Sequence, residues 1–502
     1  MNYSNKNMKS NFYLLTFLLI IFFTINGYAA ERKKYNFNSE WRLQVGDFPQ
    51  AKKPDFKDSS WKQVTLPHAF NEDEAFRISI EQHTDTVVWY RKHFVVPAET
   101  KGQRVSIHFE AAMGKQILYL NGKRIQEHIG GYLPFTLDLT ANGVQAGDSC
   151  LLAVFTDNSD DKSYPPGKRQ YTLDFAYHGG IYRDVWMIAK SPVAITDAID
   201  SRTVGGGGVF VHFDKISEKS AQVYVETEIQ NDNTRSESVT IETTLTDAEG
   251  NVIKRTSGKL SLNSGEKKSI RQQMEVRNPK LWSPDAPYLY RVQSRIKKGN
   301  RSIDGGTTRI GIRLAEFRGK EGFWLNGKPY GKPLMGANRH QDFAVVGNAV
   351  ANSIHWRDAK KLKDLGLEVI RNAHCPQDPA FMDACDELGL FVIVNTPGWQ
   401  FWNDEPIFAK RVYNDIRNMV RRDRNHPCVW LWEPILNETW YPEDFAGCVK
   451  GIVDEEYPYP SCYSGCDVQA KGSQYFPVQF AHPMDLSKRD PKITYFTREW
   501  GR

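Results

Sequence analysis

This chain of 502 residues has little from which to build disulfides. Its cysteines number seven: Cys150, Cys375, Cys385, Cys428, Cys448, Cys462 and Cys466. An odd count at so low a density excludes a disulfide framework. Cys462-x-x-x-Cys466 has no second ligand pair at matching spacing, so buried free thiols are expected there. An excess of charge of one sign is also lacking, with 65 Lys and Arg against 60 Asp and Glu. That near balance offers no electrostatic footprint for nucleic acid. Beyond Ile25, no stretch is apolar for long enough to span a bilayer. The chain is too long for one core, so about three domains are expected.

The long apolar run that does occur stands at the start. Lys6 and Lys9 precede Phe12–Ile25, and Gly27, Ala29 and Ala30 follow. A basic segment, an apolar segment and small residues in that order make residues 1–29 a signal peptide. The mature protein is then secreted or periplasmic, with no membrane attachment after cleavage. An uncleaved anchor is the alternative, and without a Cys after the run a lipoprotein is not expected. Nothing in the composition excludes a homo-oligomer.

Residues 30–190 read as all-β. Val105–Phe109 alternates, Val87–Phe94 is a second strand, and Ile117–Leu120 meets Asn121-Gly122, a two-residue hairpin signal. Helical periodicity is missing and turn signals recur, which predicts a β-sandwich. Residues 191–318 repeat the pattern on a smaller scale. Ala221 to Ile229 and Val239–Leu245 alternate between turns at Asp247–Gly250 and Asn263–Gly265. A second sandwich follows, with no candidate catalyst in it.

From residue 319 the pattern changes to apolar strands alternating with amphipathic helices, the signature of a parallel sheet. Candidate strands are Lys332–Ala337, Val369–His374, Leu390–Asn395, Cys428–Pro434, Cys462–Cys466, Pro477–Ala481 and Ile493–Glu499. Asp358–Leu365 and Pro379–Leu388 are helices between them. A closed barrel of this kind needs eight strands. Residues 319–502 are therefore expected to be a barrel cut short after its seventh strand, with an open edge.

One stretch organises the whole: Arg424-Asn-His-Pro-Cys-Val-Trp-Leu-Trp-Glu-Pro-Ile-Leu-Asn-Glu438. Its apolar middle reads as a buried strand of the parallel sheet. Asn437 and Glu438 then stand where the strand emerges, the end at which barrel enzymes collect catalytic side chains.

Leu66–Asn71, Gly179–Val185, Gly336–Asp342, Ile370–Pro376 and Arg424–Glu438, with further motifs in each domain, together resemble family two of the glycoside hydrolases, which contains β-galactosidases, β-glucuronidases and β-mannosidases. In the first domain they are Leu66-Pro-His-Ala-Phe-Asn71, Trp89-Tyr-Arg-Lys and Gly179-Gly-Ile-Tyr-Arg-Asp-Val185. In the second they are Leu281–Tyr290 and Gly311-Ile-Arg313. In the third they are Phe323–Pro329, Gly336-Ala-Asn-Arg-His-Gln-Asp342, Ile370–Pro376 with Asp386–Ile393, and Arg424–Glu438. The resemblance implies a sugar-binding jelly roll, an immunoglobulin-like sandwich and a (β/α)8 TIM barrel. It also implies a retaining exo-β-glycosidase acting on an oligosaccharide or glycoconjugate, with β-galactosidase the first expectation. β-Glucuronidase or β-mannosidase is the alternative within the family. An inactive truncated remnant, or a carbohydrate-binding fragment, is the alternative outside it.

Retaining hydrolysis needs two carboxyl groups about 5–5.5 Å apart across the scissile bond. By resemblance Glu438 is the acid/base and Glu499, in Tyr495-Phe-Thr-Arg-Glu-Trp-Gly501, the nucleophile. Low-dielectric surroundings would keep Glu438 protonated. Glu433, before a proline, reads as structural. Asn437 is placed to donate to the sugar 2-hydroxyl and Arg371 to keep the nucleophile ionised. His340 and His374 are sugar ligands or structural hydrogen-bonders. Trp399 and Trp402 are a pocket wall or core. Asp174, seven residues before Ile181, is a substrate ligand or a turn cap. The family's magnesium-dependent galactosidases carry an acid in the loop after the third strand, where this chain reads Asn395-Thr-Pro-Gly-Trp399. No catalytic metal of that kind and no cofactor are therefore expected.

Overall fold

A computed structural model describes residues 32–74, 78–79, 82–173, 175–481 and 489–497. The proposed signal peptide, Asp174 and Glu499 lie outside the described residues.

Strict alternation buries one face of each strand in the first domain. Arg104–Phe109 hides Val105, Ile107 and Phe109 and turns Arg104, Ser106 and His108 outward. Two antiparallel sheets result. One runs in the order Lys33–Asn36, Val185–Lys190, Arg104–Phe109, Phe135–Asp138. The other is six-stranded and centres on Val87–Val95 and Ser149–Asp157. Trp41, Tyr90, Phe109 and Leu118 fill the core between them. Asn121 and Gly122 close the Lys115–Leu120/Lys123–Ile129 hairpin with φ of 49° and 89°, as an Asn-Gly turn of this length requires. The second domain is a smaller sandwich. Its long strands Ser220–Asn231 and Glu237–Thr246 lie in opposite sheets.

The third domain carries seven parallel barrel strands among the described residues, all overlapping the expected runs and shorter than them, the first starting four residues later than Lys332 and ending beyond Ala337. They are β1 (Gly336–Arg339), β2 (Val369–Asn372), β3 (Phe391–Asn395), β4 (Val429–Glu433), β5 (Gly465–Asp467), β6 (Val478–Phe480) and β7 (Thr494–Phe496). Ladders join β1 to β4 and β5 to β7, and a bridge from Trp432 to Ser464 links the two groups. Helix α1 (Asn352–Asp364) begins six residues before its expected start at Asp358, because nothing in Asn352–Arg357 breaks a helix and buried His355 anchors its first turns. Helix α2 (Pro379–Leu388) has the predicted bounds, set by the Asp378 side chain accepting from Ala380 N at one end and left-handed Gly389 at the other. Helices α3 (Pro406–Asp423) and α4 (Glu443–Glu456) flank β4. Among the described residues no ladder joins β7 to β1. A cavity of about 670 Å³ opens beside both strands, lined by Ala337, Asn338, Trp430 and Phe496. None of the seven cysteines is bonded, Cys462 and Cys466 included, and no described helix is long and apolar enough to cross a membrane.

The two sandwiches hold opposite ends of the barrel. The second domain grips the strand starts. Arg313 donates to Pro427 O at 2.6 Å, and Arg424 to Gly206 O and Gly207 O at 2.8 and 2.5 Å. Asn425 pairs with the backbone of Val209 and Val211. The first half of the Arg424–Glu438 stretch is therefore an anchor between domains.

Within that anchor Asp386 accepts from His426 Nδ1 at 2.6 Å and from Cys428 N at 2.9 Å. Burial pulls the His426 imidazole down, but the Asp386 carboxylate more than offsets this and lifts its pKa to about 9. A folded-state value above the unfolded one, about 6.5, gives stability that is full below pH 6.5 and lost as pH rises through 9. The difference in melting temperature between wild type and His426→Gln should be largest near pH 6 and shrink by pH 9.5, as thermal scans across that range would read. A constant difference contradicts the charged pair.

Candidate active site

The first domain covers the carboxyl ends of the barrel strands. Arg183 spans the junction, donating to Tyr132 O (2.9 Å) on its own side and to Pro376 O (2.8 Å) across it. The strand ends therefore lie at the junction of two domains.

Beneath the site lies a buried ion pair. Arg371, in β2, donates through Nε and Nη2 to the two oxygens of Glu433, the last residue of β4, at 2.7 and 2.5 Å. Glu433 is fully buried. This is the two-pronged geometry in which a buried carboxylate is best compensated. The sequence reading gave Arg371 to the nucleophile. That pairing falls on Glu499, outside the described residues; among these Arg371 holds Glu433, a partner that a separation of 62 positions kept out of view.

Arg371 Nη2 also reaches Asn437 Oδ1 at 3.1 Å. A guanidinium can only donate, so the amide oxygen faces it and the amide NH2 points away. Asn437 is thus oriented as a donor. Next to it Glu438 has φ of +48°, left-handed backbone that costs a non-glycine residue about 1–3 kcal/mol and is typical of functional sites. That turn sets the Glu438 carboxyl against the loop after β3. Trp399 Nε1 and Gln400 Nε2 donate to its Oε2 at 3.2 and 2.9 Å. Gln400 is left-handed as well (φ +49°), and its N–H donates to Asn437 O at 2.9 Å. Glu438 is exposed to solvent rather than enclosed as expected.

A ladder of rings leads away from Glu438. Trp399 lies parallel to His374 at 6.4 Å, His374 meets His340 edge-on at 5.9 Å, and His340 stacks on Phe175 at 5.6 Å. The structure therefore brings Glu438, Asn437, Arg371, Trp399, His374 and His340 to one place. Trp402 is not among them. It packs against Phe408 and Phe445 and donates to Asp404, which makes it core between α3 and α4. Gln400, Phe175, Lys168 and Asp342, whose carboxyl is pushed up by burial beside His340, were not singled out from sequence. Gln400 carried a signal, between two tryptophans in the loop after a barrel strand, as did Asp342, which ends the motif that begins at Gly336.

Comparisons with known proteins match the order of the three domains. The family model for the sugar binding domain of glycosyl hydrolases family 2 matches residues 38–192. That described as glycosyl hydrolases family 2 matches 207–313, and the family 2 TIM barrel domain matches 316–456. A β-galactosidase of Thermoanaerobacter pseudethanolicus is 36% identical, over 82% of this chain and 53% of its own length. A β-glucuronidase of Formosa agariphila is 30% identical, over 81% of this chain and 42% of its own. The crystal structure of a Bacteroides uniformis β-glucuronidase superposes with a TM-score of 0.80 at 26% identity, over 90% of this chain and 55% of that one. The chain thus spans about half the length of the relatives it matches.

Proposed function

The chain belongs to family 2 of the glycosyl hydrolases, and on that premise we propose that it acts as a retaining exo-β-glycosidase, a β-galactosidase in the first instance. The observation that carries the reading is Glu438 on its left-handed turn, with an amide donor fixed beside it by Arg371. In the first step Glu499 attacks the anomeric carbon while Glu438 gives its proton to the departing oxygen. The bond to the leaving group breaks and a glycosyl-enzyme forms. In the second step Glu438, now a base, takes a proton from water, whose oxygen displaces Glu499 with the anomeric configuration retained. The Asn437 NH2 donates to the 2-hydroxyl, a bond that strengthens as positive charge develops on the ring. His374 and His340 line the sugar's approach, and Asp174 is a further ligand for it in this reading.

The substrate is a terminal β-linked sugar of an oligosaccharide or glycoconjugate, and the enzyme works outside the cytoplasm after loss of residues 1–29. A β-glucuronidase is the second reading, favoured by the Bacteroides uniformis structure. Aryl β-galactoside, glucuronide, mannoside and glucoside should be compared, with Glu438→Gln and Glu499→Gln as controls. Turnover of one glycoside, abolished by Glu499→Gln, is expected. Turnover of none by the folded chain contradicts the reading.

A further inference from the structure

The loop of the first domain that follows the strand Ser149–Asp157 runs over the barrel and ends beside Glu438. Its docking is dense. Asn403 Nδ2 donates to Lys162 O at 2.7 Å, and Arg411 Nη1 to Ser163 O at 3.0 Å. Gly167 approaches so closely that a Cβ there would stand 2.4 Å from the Phe401 ring. Its φ of +69° is one that glycine adopts without strain. This turn delivers Lys168 to the site. Its ammonium sits 3.8 Å from the centre of the Trp399 ring, and Nζ donates to Gln400 Oε1 at 2.8 Å.

Gln400 and Trp399 are also the two groups that donate to Glu438 Oε2. By accepting from Lys168, the Gln400 amide has its oxygen fixed toward the ammonium and its NH2 fixed toward Glu438 Oε2, 2.9 Å away. A cation on the indole face draws on the ring's π density and polarises the N–H that donates to the same oxygen. Two routes therefore run from one lysine to one carboxyl oxygen.

We propose that Lys168, contributed by the sugar-binding domain, is a positioning residue for the acid/base, acting through Gln400 and Trp399. Departure of the leaving group then depends on a contact between domains. The inference rests on the reading of Glu438 as acid/base.

The test uses two β-glycosides of whichever sugar the chain hydrolyses, one with methanol and one with 2,4-dinitrophenolate as leaving group. Dinitrophenolate leaves without protonation and methanol does not, so the ratio of their kcat/KM values reports how well the acid is placed. In Lys168→Met that ratio should fall by about tenfold, a fraction of the loss expected from removing the acid itself. Lys168→Arg should recover most of it. Gln400→Leu, which cuts the chain one link on, should show the same signature. The loss in the double variant should fall well short of the product of the two single losses, because Lys168 and Gln400 share one route and Lys168 keeps a second through Trp399. If Lys168→Met does not fold, Gln400→Leu carries the same comparison. Equal losses on both glycosides, or additive losses in the double variant, would overturn the proposal. If Glu438→Gln lowers the ratio and the Lys168 and Gln400 variants do not, the inference fails alone. If Glu438→Gln itself leaves the ratio unchanged, the acid/base reading fails and takes the inference with it.

Discussion

Glu438→Gln should lower kcat/KM by about 10²–10⁴-fold for a glycoside whose leaving group is an alcohol, the usual worth of a positioned general acid. The glutamine keeps the hydrogen bonds that Trp399 and Gln400 make to Glu438 Oε2, so the loop after β3 should stay in place. With a dinitrophenyl glycoside the same variant should behave differently. Its kcat/KM, which reports formation of the glycosyl-enzyme, should fall little, because that leaving group needs no proton. Its kcat should fall steeply, because water must then resolve the intermediate without a base. Azide needs no base and should restore kcat, giving a β-glycosyl azide. Equal losses on both glycosides, with no effect of azide, would take the acid/base role from Glu438.

Arg371→Met should cost about 3–5 kcal/mol of stability, the usual penalty for leaving one half of a buried ion pair uncompensated. Glu433 would lose a charge-assisted bond from each of its oxygens while remaining fully buried between β2 and β4. Urea unfolding followed by tryptophan fluorescence reads this, since Trp399, Trp430 and Trp432 all lie in the barrel. Arg371→Met with Glu433→Met should recover much of the loss, because two apolar side chains need no compensation. Activity should not recover with it, since Asn437 loses the donor that orients its amide. If the single and double variants unfold at the same urea concentration, the pair does not hold the barrel as described.

Local patterns made much of this protein readable. The β-strands of both sandwiches announced themselves by period-two alternation, and Asn121-Gly122 by the left-handed backbone its hairpin needs. Most barrel strands stood inside apolar runs, though shorter than those runs, and Asn437-Glu438 stood just past the most distinctive one. Contacts that fold back over long separations were not readable. Lys168 and Gln400 are 232 positions apart, and neither has local features that point to the other. Arg424 and Asn425 looked like part of the catalytic signature, yet their partners are backbone groups more than 200 positions earlier. Trp399 and Trp402 were equivalent by sequence. The left-handed turn at Gln400 separates them, sending one to Glu438 and the other into the helices.

The central claim, that Glu438 and Glu499 divide a double displacement between them, is tested most directly by trapping the intermediate. The chain would be incubated with the activated 2-deoxy-2-fluoro β-glycoside of the sugar it hydrolyses, in which fluorine slows release of the glycosyl-enzyme. Peptide mass mapping would then locate the adduct. One fluoroglycosyl group on the peptide that contains Glu499, absent in Glu499→Gln, is the predicted result. An adduct on Glu438 or Glu433, or steady turnover of the unfluorinated sugar by Glu499→Gln, would contradict it.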